Sequence, residues 1–343
     1  LSNKNIHRLF DAFTPKIEEK EKMFHKILVK SKENESKKHK GYTLARRFRP
    51  AVLAAMLMVC FATTAIAAAY MGLDETFMKF LNPVNHEQAE YLSNGAYVVD
   101  KEIKNKNGTL KIKQVIGDSN LTYIFMDFSA PEGTVLDAAR YHFLDNDITT
   151  KQKFHSVGFK VLDDGNQHDN KISMVMSIMT KNSLAGSKIH LRLKDLQAAD
   201  PFPGIFTTVI PGIWETDFKL DFKEYSTPHE VNETISMFGY GAVLKSVSVS
   251  PISISLKVEG SSMDEIDKAA GSFKSIGPNQ YLDNYPITIK YKDGTSETTS
   301  LFKGMHLTES GTRLLTIKTF ENVVNDNEIA SIVFFDKEIP ITN

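Results

Sequence analysis

Residues 51–73, AVLAAMLMVCFATTAIAAAYMGL, contain no charged side chain. At about 1.5 Å per residue they make roughly 34 Å of helix, enough to cross a hydrocarbon core of about 30 Å. A soluble helix of this length normally carries a polar face, because one side meets water. This run has none. Arg46, Arg47 and Arg49 precede it, and Asp74 and Glu75 follow it. Positive charge stays on the cytoplasmic side, so the sequence predicts a transmembrane helix over 50–73. Residues 1–49 are then cytoplasmic and the remainder extracellular.

Two further readings of the run compete with this anchor. Ala65-Ile66-Ala67 fits the small-x-small pattern of a signal-peptide cleavage site, with an apolar part from Ala51 to about Phe61. The 49 residues in front of it far exceed the short charged region of an export signal, which favours the uncleaved anchor. A lipid anchor on Cys60 would need a small residue where Val59 stands.

Charge is distributed unevenly about this run. Residues 1–49 hold 14 Lys/Arg against 6 Asp/Glu, a net of +8. The part beyond the run holds 27 basic and 36 acidic residues, a net of −9, which together give the overall −1. A basic inner segment suits contact with anionic membrane lipid or an acidic partner, and part of its charge simply enforces topology. Cys60 is the only cysteine, so the outer part is held without disulfides. That pattern fits an exported domain of a Gram-positive bacterium better than a eukaryotic secretory route.

Residues 1–49 are too few and too charged for a core of their own. Thr14-Pro15 is a helix start, with Glu18 and Glu19 in the first turn. Ile17, Phe24, Ile27 and Leu28 then recur near a 3.6 period, and Phe10 and Phe13 extend a second apolar stripe upstream. Left alone, these stripes would place phenylalanines in water. The sequence therefore predicts partner binding at Phe10, Phe13, Ile17, Phe24, Ile27 and Leu28. A membrane-surface amphipathic helix is the alternative. Residues 31–42 read as a polar tether.

Beyond the membrane, residues 74–92 read as short helical pieces broken by Pro83, with 74–84 as a juxtamembrane connector. Alternation then takes over. Trp214–Phe222, Ile189–Leu193 and Ile252–Val258 place apolar residues on one face, as half-buried antiparallel strands do. Further strands are expected at 96–103, 109–116, 121–129, 171–180, 242–249, 286–291, 296–303, 313–320 and 328–336. Helices are expected near 134–141 and 262–270. Asp293-Gly294 predicts a type I′ hairpin turn. The alternation breaks over 222–230, so one β domain is expected at 85–225 and a second at 230–343. The fold class is thus mainly β: a transmembrane helix followed by two extracellular β-sandwich domains.

No HExxH, GxSxG, Walker or dinucleotide motif occurs. The sequence assigns no catalytic residue, cofactor or metal ligand, and the chain reads as a non-enzyme. His190 falls on the polar face of its strand, where solvent is its expected neighbour. Asp163–Asn170 reads as a hairpin turn, because the bidentate Glu and central Gly of a calcium loop are missing. Trp214 is expected in the core with Phe218 and Phe222, and Met174, Met176 and Met179 as core filling.

The stretch from Asn107 to Asp118, with LTYIFMDFSAPEG, DNKISMVMSIMT and SLAGSKIHLRLKDL after it, resembles a domain of unknown function from Gram-positive membrane proteins. LKSVSVSPISISLKVEG and IKYKDGTSE resemble the immunoglobulin-like domain that often follows it. The resemblance covers most of the outer part and rests on hydrophobic pattern and turn glycines. It implies a membrane-anchored, anti-sigma-factor-like regulator. Its cytoplasmic segment would hold a sigma factor, and its ectodomain would bind an extracellular ligand of unknown identity. The inner segment has His7, His25 and His39 but no cysteine, and so departs from zinc-binding anti-sigma domains. No direct nucleic-acid binding is expected. The reading from another class is an anchored structural or adhesive envelope protein, whose inner segment only fixes topology.

Overall fold

The computed structural model describes residues 72–83, 85–150, 155–166, 168–199, 204–270, 285–300, 306–309, 313–319 and 326–341. Phe10, Phe13, Ile17, Phe24, Ile27 and Leu28 lie outside the described residues, as does the apolar run apart from Gly72 and Leu73. Among the described residues no helix is long and apolar enough to cross a membrane.

The described chain is mainly β, in four sheets whose strands pair antiparallel. It opens with two short helices, α1 (Glu75–Leu81) and α2 (His86–Gly95), on either side of the expected break at Pro83. The strands that follow are β1 (Tyr97–Asn105), β2 (Gly108–Gly117), β3 (Leu121–Ser129), β4 (Arg140–Thr149), β5 (His155–Leu162), β6 (Lys171–Thr180), β7 (Lys188–Ala199) and β8 (Thr207–Lys219). They form a five-stranded sheet, β1-β2-β3-β6-β5, and a three-stranded one, β4-β7-β8. The two share one core, to which Leu110, Phe128, Met174 and Met176 come from the larger sheet and Phe143, Leu193 and Trp214 from the smaller.

Trp214 is fully buried. Its ring meets Phe128 edge-on at 4.9 Å and Phe143 at 5.9 Å, and its Nε1 donates to the Gly108 carbonyl at 3.2 Å. Strand β3 is buried along nearly its whole length instead of alternating. One face of it meets the core, while the other lies under α1 and α2, where Phe77, Met78, Leu81 and Leu92 pack on Leu121, Tyr123 and Phe125. Burial on both faces erases the period-2 signal.

The second pair of sheets uses β9 (Thr227–Met237), β10 (Tyr240–Val249), β11 (Ser253–Glu259), β12 (Pro286–Tyr291), β13 (Ser296–Ser300), β14 (His306–Glu309), β15 (Arg313–Thr319), β16 (Ile329–Phe334) and β17 (Lys337–Pro340). One sheet runs β14-β15-β11-β10-β9 and the other β13-β12-β16-β17. Their shared core is closed by helix α3 (Met263–Ala270), which turns Met263, Ile266 and Ala270 inward. Pro228 sits on β9, an edge strand of its sheet, where a missing N–H is tolerated.

Two local expectations are corrected. Residues 134–138 carry no regular element, and Arg140 begins a strand rather than ending a helix. The amides of the segment bond outside any helical ladder: Leu136 N–H donates to the Asp169 carbonyl at 2.8 Å, and Ala138 N–H to the Tyr141 hydroxyl at 3.0 Å. The Asp293-Gly294 turn is not type I′, since only Gly294 has positive φ, at 88°. Gly294 N–H donates to the Tyr291 carbonyl at 3.0 Å, and Asp293 Oδ1 accepts from Thr295 N–H at 2.8 Å. This is a turn closed by a left-handed glycine, the three-residue form of hairpin.

Candidate functional site

Two polar clusters stand out from the apolar packing, one at the middle of β2 and one just beyond its last residue. The first fixes the residues that directly follow the apolar run. Gln114 donates from Nε2 to the Gly72 carbonyl at 2.6 Å and accepts at Oε1 from Asp74 N–H at 2.7 Å. Asp74 caps α1 by accepting from Thr76 N–H at 2.9 Å. Its other carboxylate oxygen pairs with Lys113 of β2. Lys113 also reaches Asp127 of β3 at 3.2 Å, which in turn holds Lys171 at 3.0 Å and accepts from the Ser173 hydroxyl at 2.7 Å.

Burial raises the Asp74 carboxyl, but Lys113 and the amides of Thr76 and Phe77 outweigh it and hold the group below its ordinary value. The stack of Phe77 on Phe125, at 5.1 Å, continues this collar into the apolar layer. Gly72, at the end of the apolar run, and Asp74, which caps the first helix after it, are therefore bonded to the sheet.

The second cluster joins the two sheet pairs. The turn between β2 and β3, Asp118-Ser119-Asn120, reaches the second pair. Asp118 is 3% exposed. Its Oδ1 accepts from the N–H groups of Asn120 and Leu121 at 2.9 and 2.8 Å, and its Oδ2 from the hydroxyls of Ser250 and Ser253 at 2.7 and 2.5 Å. None of these four donors carries a charge. Burial accordingly raises the Asp118 carboxyl in spite of all four bonds.

Asn120 accepts from the Ser255 hydroxyl at 2.7 Å and donates to the carbonyls of Thr180 and Lys181 at 3.0 and 2.9 Å. Ser119 donates from its hydroxyl to Glu224 at 2.7 Å, and its N–H donates to the Ser226 hydroxyl oxygen. Met179, Leu315 and Ile317 make the apolar part of the same contact.

Sequence reasoning missed this junction although a signal was present. The outward-facing positions of β10 and β11 include Ser246, Ser248, Ser253 and Ser255. A face built mainly of serine is small and polar enough to be buried against another sheet, whereas a solvated face carries more charge. His190 lies on the polar, partly exposed face of β7, as expected, within 3.2 Å of Glu215 and 3.3 Å of Asp217.

In the turn at 163–170 the carboxylates are engaged locally. Asp163 accepts from Gly165 N–H, Asp164 from Asn166 N–H, and Asp169 from Lys171 N–H and the Asn166 amide. Among the described residues no group of three or more His, Cys, Asp or Glu is placed to hold a metal ion.

No family model matches the sequence, and no curated protein matches it. A solved structure, described as the crystal structure of the conserved domain protein from Bacillus anthracis, aligns with a TM-score of 0.47 and 14% identity. The alignment covers 69% of this chain and 75% of that one. A likeness at this level carries no argument about function.

Proposed function

We propose that the chain is a single-pass, membrane-anchored regulator of the anti-sigma-factor type. In this reading residues 1–49 are cytoplasmic and hold a sigma factor through Phe10, Phe13, Ile17, Phe24, Ile27 and Leu28. Residues 50–73 cross the membrane. Two immunoglobulin-like sandwiches, 85–225 and 230–343, form an extracellular part that binds a ligand and performs no catalysis.

One observation carries the reading: Gly72 and Asp74 are hydrogen-bonded to Gln114, so the exit of the apolar run is fixed to the first sheet. An ectodomain that only displayed an adhesive surface would work equally well on a loose tether. A sensing ectodomain needs a stiff connection to whatever it moves, since coupling travels through packed and bonded elements.

The test is retention of a cytoplasmic partner by the whole chain. Apolar anchors carry most of the binding energy at such contacts, while exposed charges contribute little each. Phe24→Ala with Leu28→Ala should release the partner and switch on its target genes, whereas Lys22→Ala or Lys30→Ala should do much less. If nothing cytoplasmic is retained and no transcripts change, the anchored structural protein is the better reading.

A further inference from the structure

We propose that the contact between the two sheet pairs is a proton-sensitive clasp, with Asp118 as its titrating group and the Ser250 hydroxyl as the part that re-aims. It holds whether or not the chain spans a membrane. Asp118 belongs to the first pair, and both hydroxyls on its Oδ2 belong to the second. The carboxylate is therefore buried only while the pairs are in contact. When they part, Ser250 and Ser253 withdraw and water reaches it.

The surroundings suit a change of charge. The donors to Asp118 are two backbone N–H groups and two hydroxyls, so a buried negative charge is solvated there without being neutralised. Tyr123 of β3 is the titratable neighbour, a phenol whose ionisation burial pushes up and whose oxygen is hydrogen-bonded to Thr319 of β15. Glu224, in the segment between the pairs, accepts from the hydroxyl of the adjacent Ser119. From β10, Ser248 approaches Ser119 at 3.3 Å.

Ser250 is also held from the other side. Its oxygen accepts from the N–H groups of Ile252 and Ser253 at 3.2 and 3.0 Å. Its hydrogen has two acceptors in reach, Asp118 Oδ2 at 2.7 Å and the Ser253 carbonyl at 3.2 Å. A proton on Oδ2 faces the Ser253 hydroxyl oxygen, because both lone pairs of Ser250 already accept from N–H groups, while Ser250 turns its own hydrogen to the carbonyl. The neutral carboxyl is thus accommodated without moving the backbone.

The sign follows from linkage. The closed contact raises the proton affinity of Asp118 above that of the open, hydrated form. Proton uptake therefore favours closure. The clasp is tightest below the ordinary carboxylate value of 3.8 and loosens as pH rises through the raised value of the closed form. Each tenfold by which closure raises the proton affinity becomes tenfold in the closed-to-open ratio.

The experiment is amide hydrogen exchange on the whole chain in detergent, between pH 8 and 4.5, corrected for intrinsic rates. Segments 118–121 and 250–255 should gain about tenfold or more in protection toward the acid end. Asp118→Asn should abolish that gain. Should this variant fail to fold, Ser250→Ala decides: it removes a donor to the charged form alone, so the midpoint should move to higher pH. Protection that is flat or falls toward acid in the unaltered chain, a gain that survives Asp118→Asn, or a midpoint that Ser250→Ala leaves in place would each overturn the clasp.

Discussion

Gln114 grips the backbone of Gly72 from the middle of a strand, donating to its carbonyl at 2.6 Å while accepting from Asp74 two residues on. A side-chain amide has one good acceptor and a pair of donors, so one residue satisfies two main-chain groups that no strand or helix serves. Gln114 is itself buried, and losing it strands both. Gln114→Ala should destabilise the collar by about 1–3 kcal/mol. The loss should appear as faster amide exchange over 72–81, with the strands of the second sheet pair unaffected.

Asp74 gives the collar a pH dependence opposite in sign to that of Asp118. Lys113 and two amides, acting against burial, hold its carboxyl below the ordinary value of 3.8. Its stabilisation is therefore present above about pH 3.8 and lost as pH falls through the lowered folded-state value. Protection of the Thr76 and Phe77 amides should persist at pH 4 and collapse in stronger acid. Lys113→Met should remove the lowering, so that protection is already failing near the ordinary value.

Trp214 tests the first core. With its ring fully buried between Phe128 and Phe143, Trp214→Ala should cost about 3–5 kcal/mol in denaturant unfolding. Its fluorescence in the folded chain should resist aqueous quenchers.

Much of this β framework was legible because half-buried strands alternate. Lys188–Ala199 declares itself in that way, and Ser253–Glu259 alternates in polarity even though its serine face is buried as well. Strand β4 did not: the bond that holds the segment before it, from Leu136 N–H to the Asp169 carbonyl, leaves no trace in local spacing. Strand β9 was hidden by Pro228, which an edge position tolerates.

The collar was half visible: Asp74 marked the end of the apolar run, but nothing local says that Lys113 and Gln114 lie across from it, 39 and 40 residues away. The Asp118 junction needed contacts more than 130 residues apart, which no periodicity encodes.

Gly117 lets the segment after β8 approach β2 closely. A Cβ built there would stand 2.6 Å from the Phe222 ring and 2.8 Å from the Leu121 carbonyl oxygen. The carbonyl cannot swing away as a side-chain tip would. Gly117→Ala should therefore cost about 1–3 kcal/mol, seen as a lower unfolding midpoint at unchanged denaturant slope.

The central claim, a chain that crosses a membrane with its sheets outside, is tested most directly by protease access. Cells stripped of their wall and carrying the chain with an epitope at each end are treated with external protease. The account predicts that the epitope after residue 343 disappears while the one before residue 1 survives until the membrane is opened with detergent. Loss of the leading epitope in intact cells, or survival of both, would contradict it.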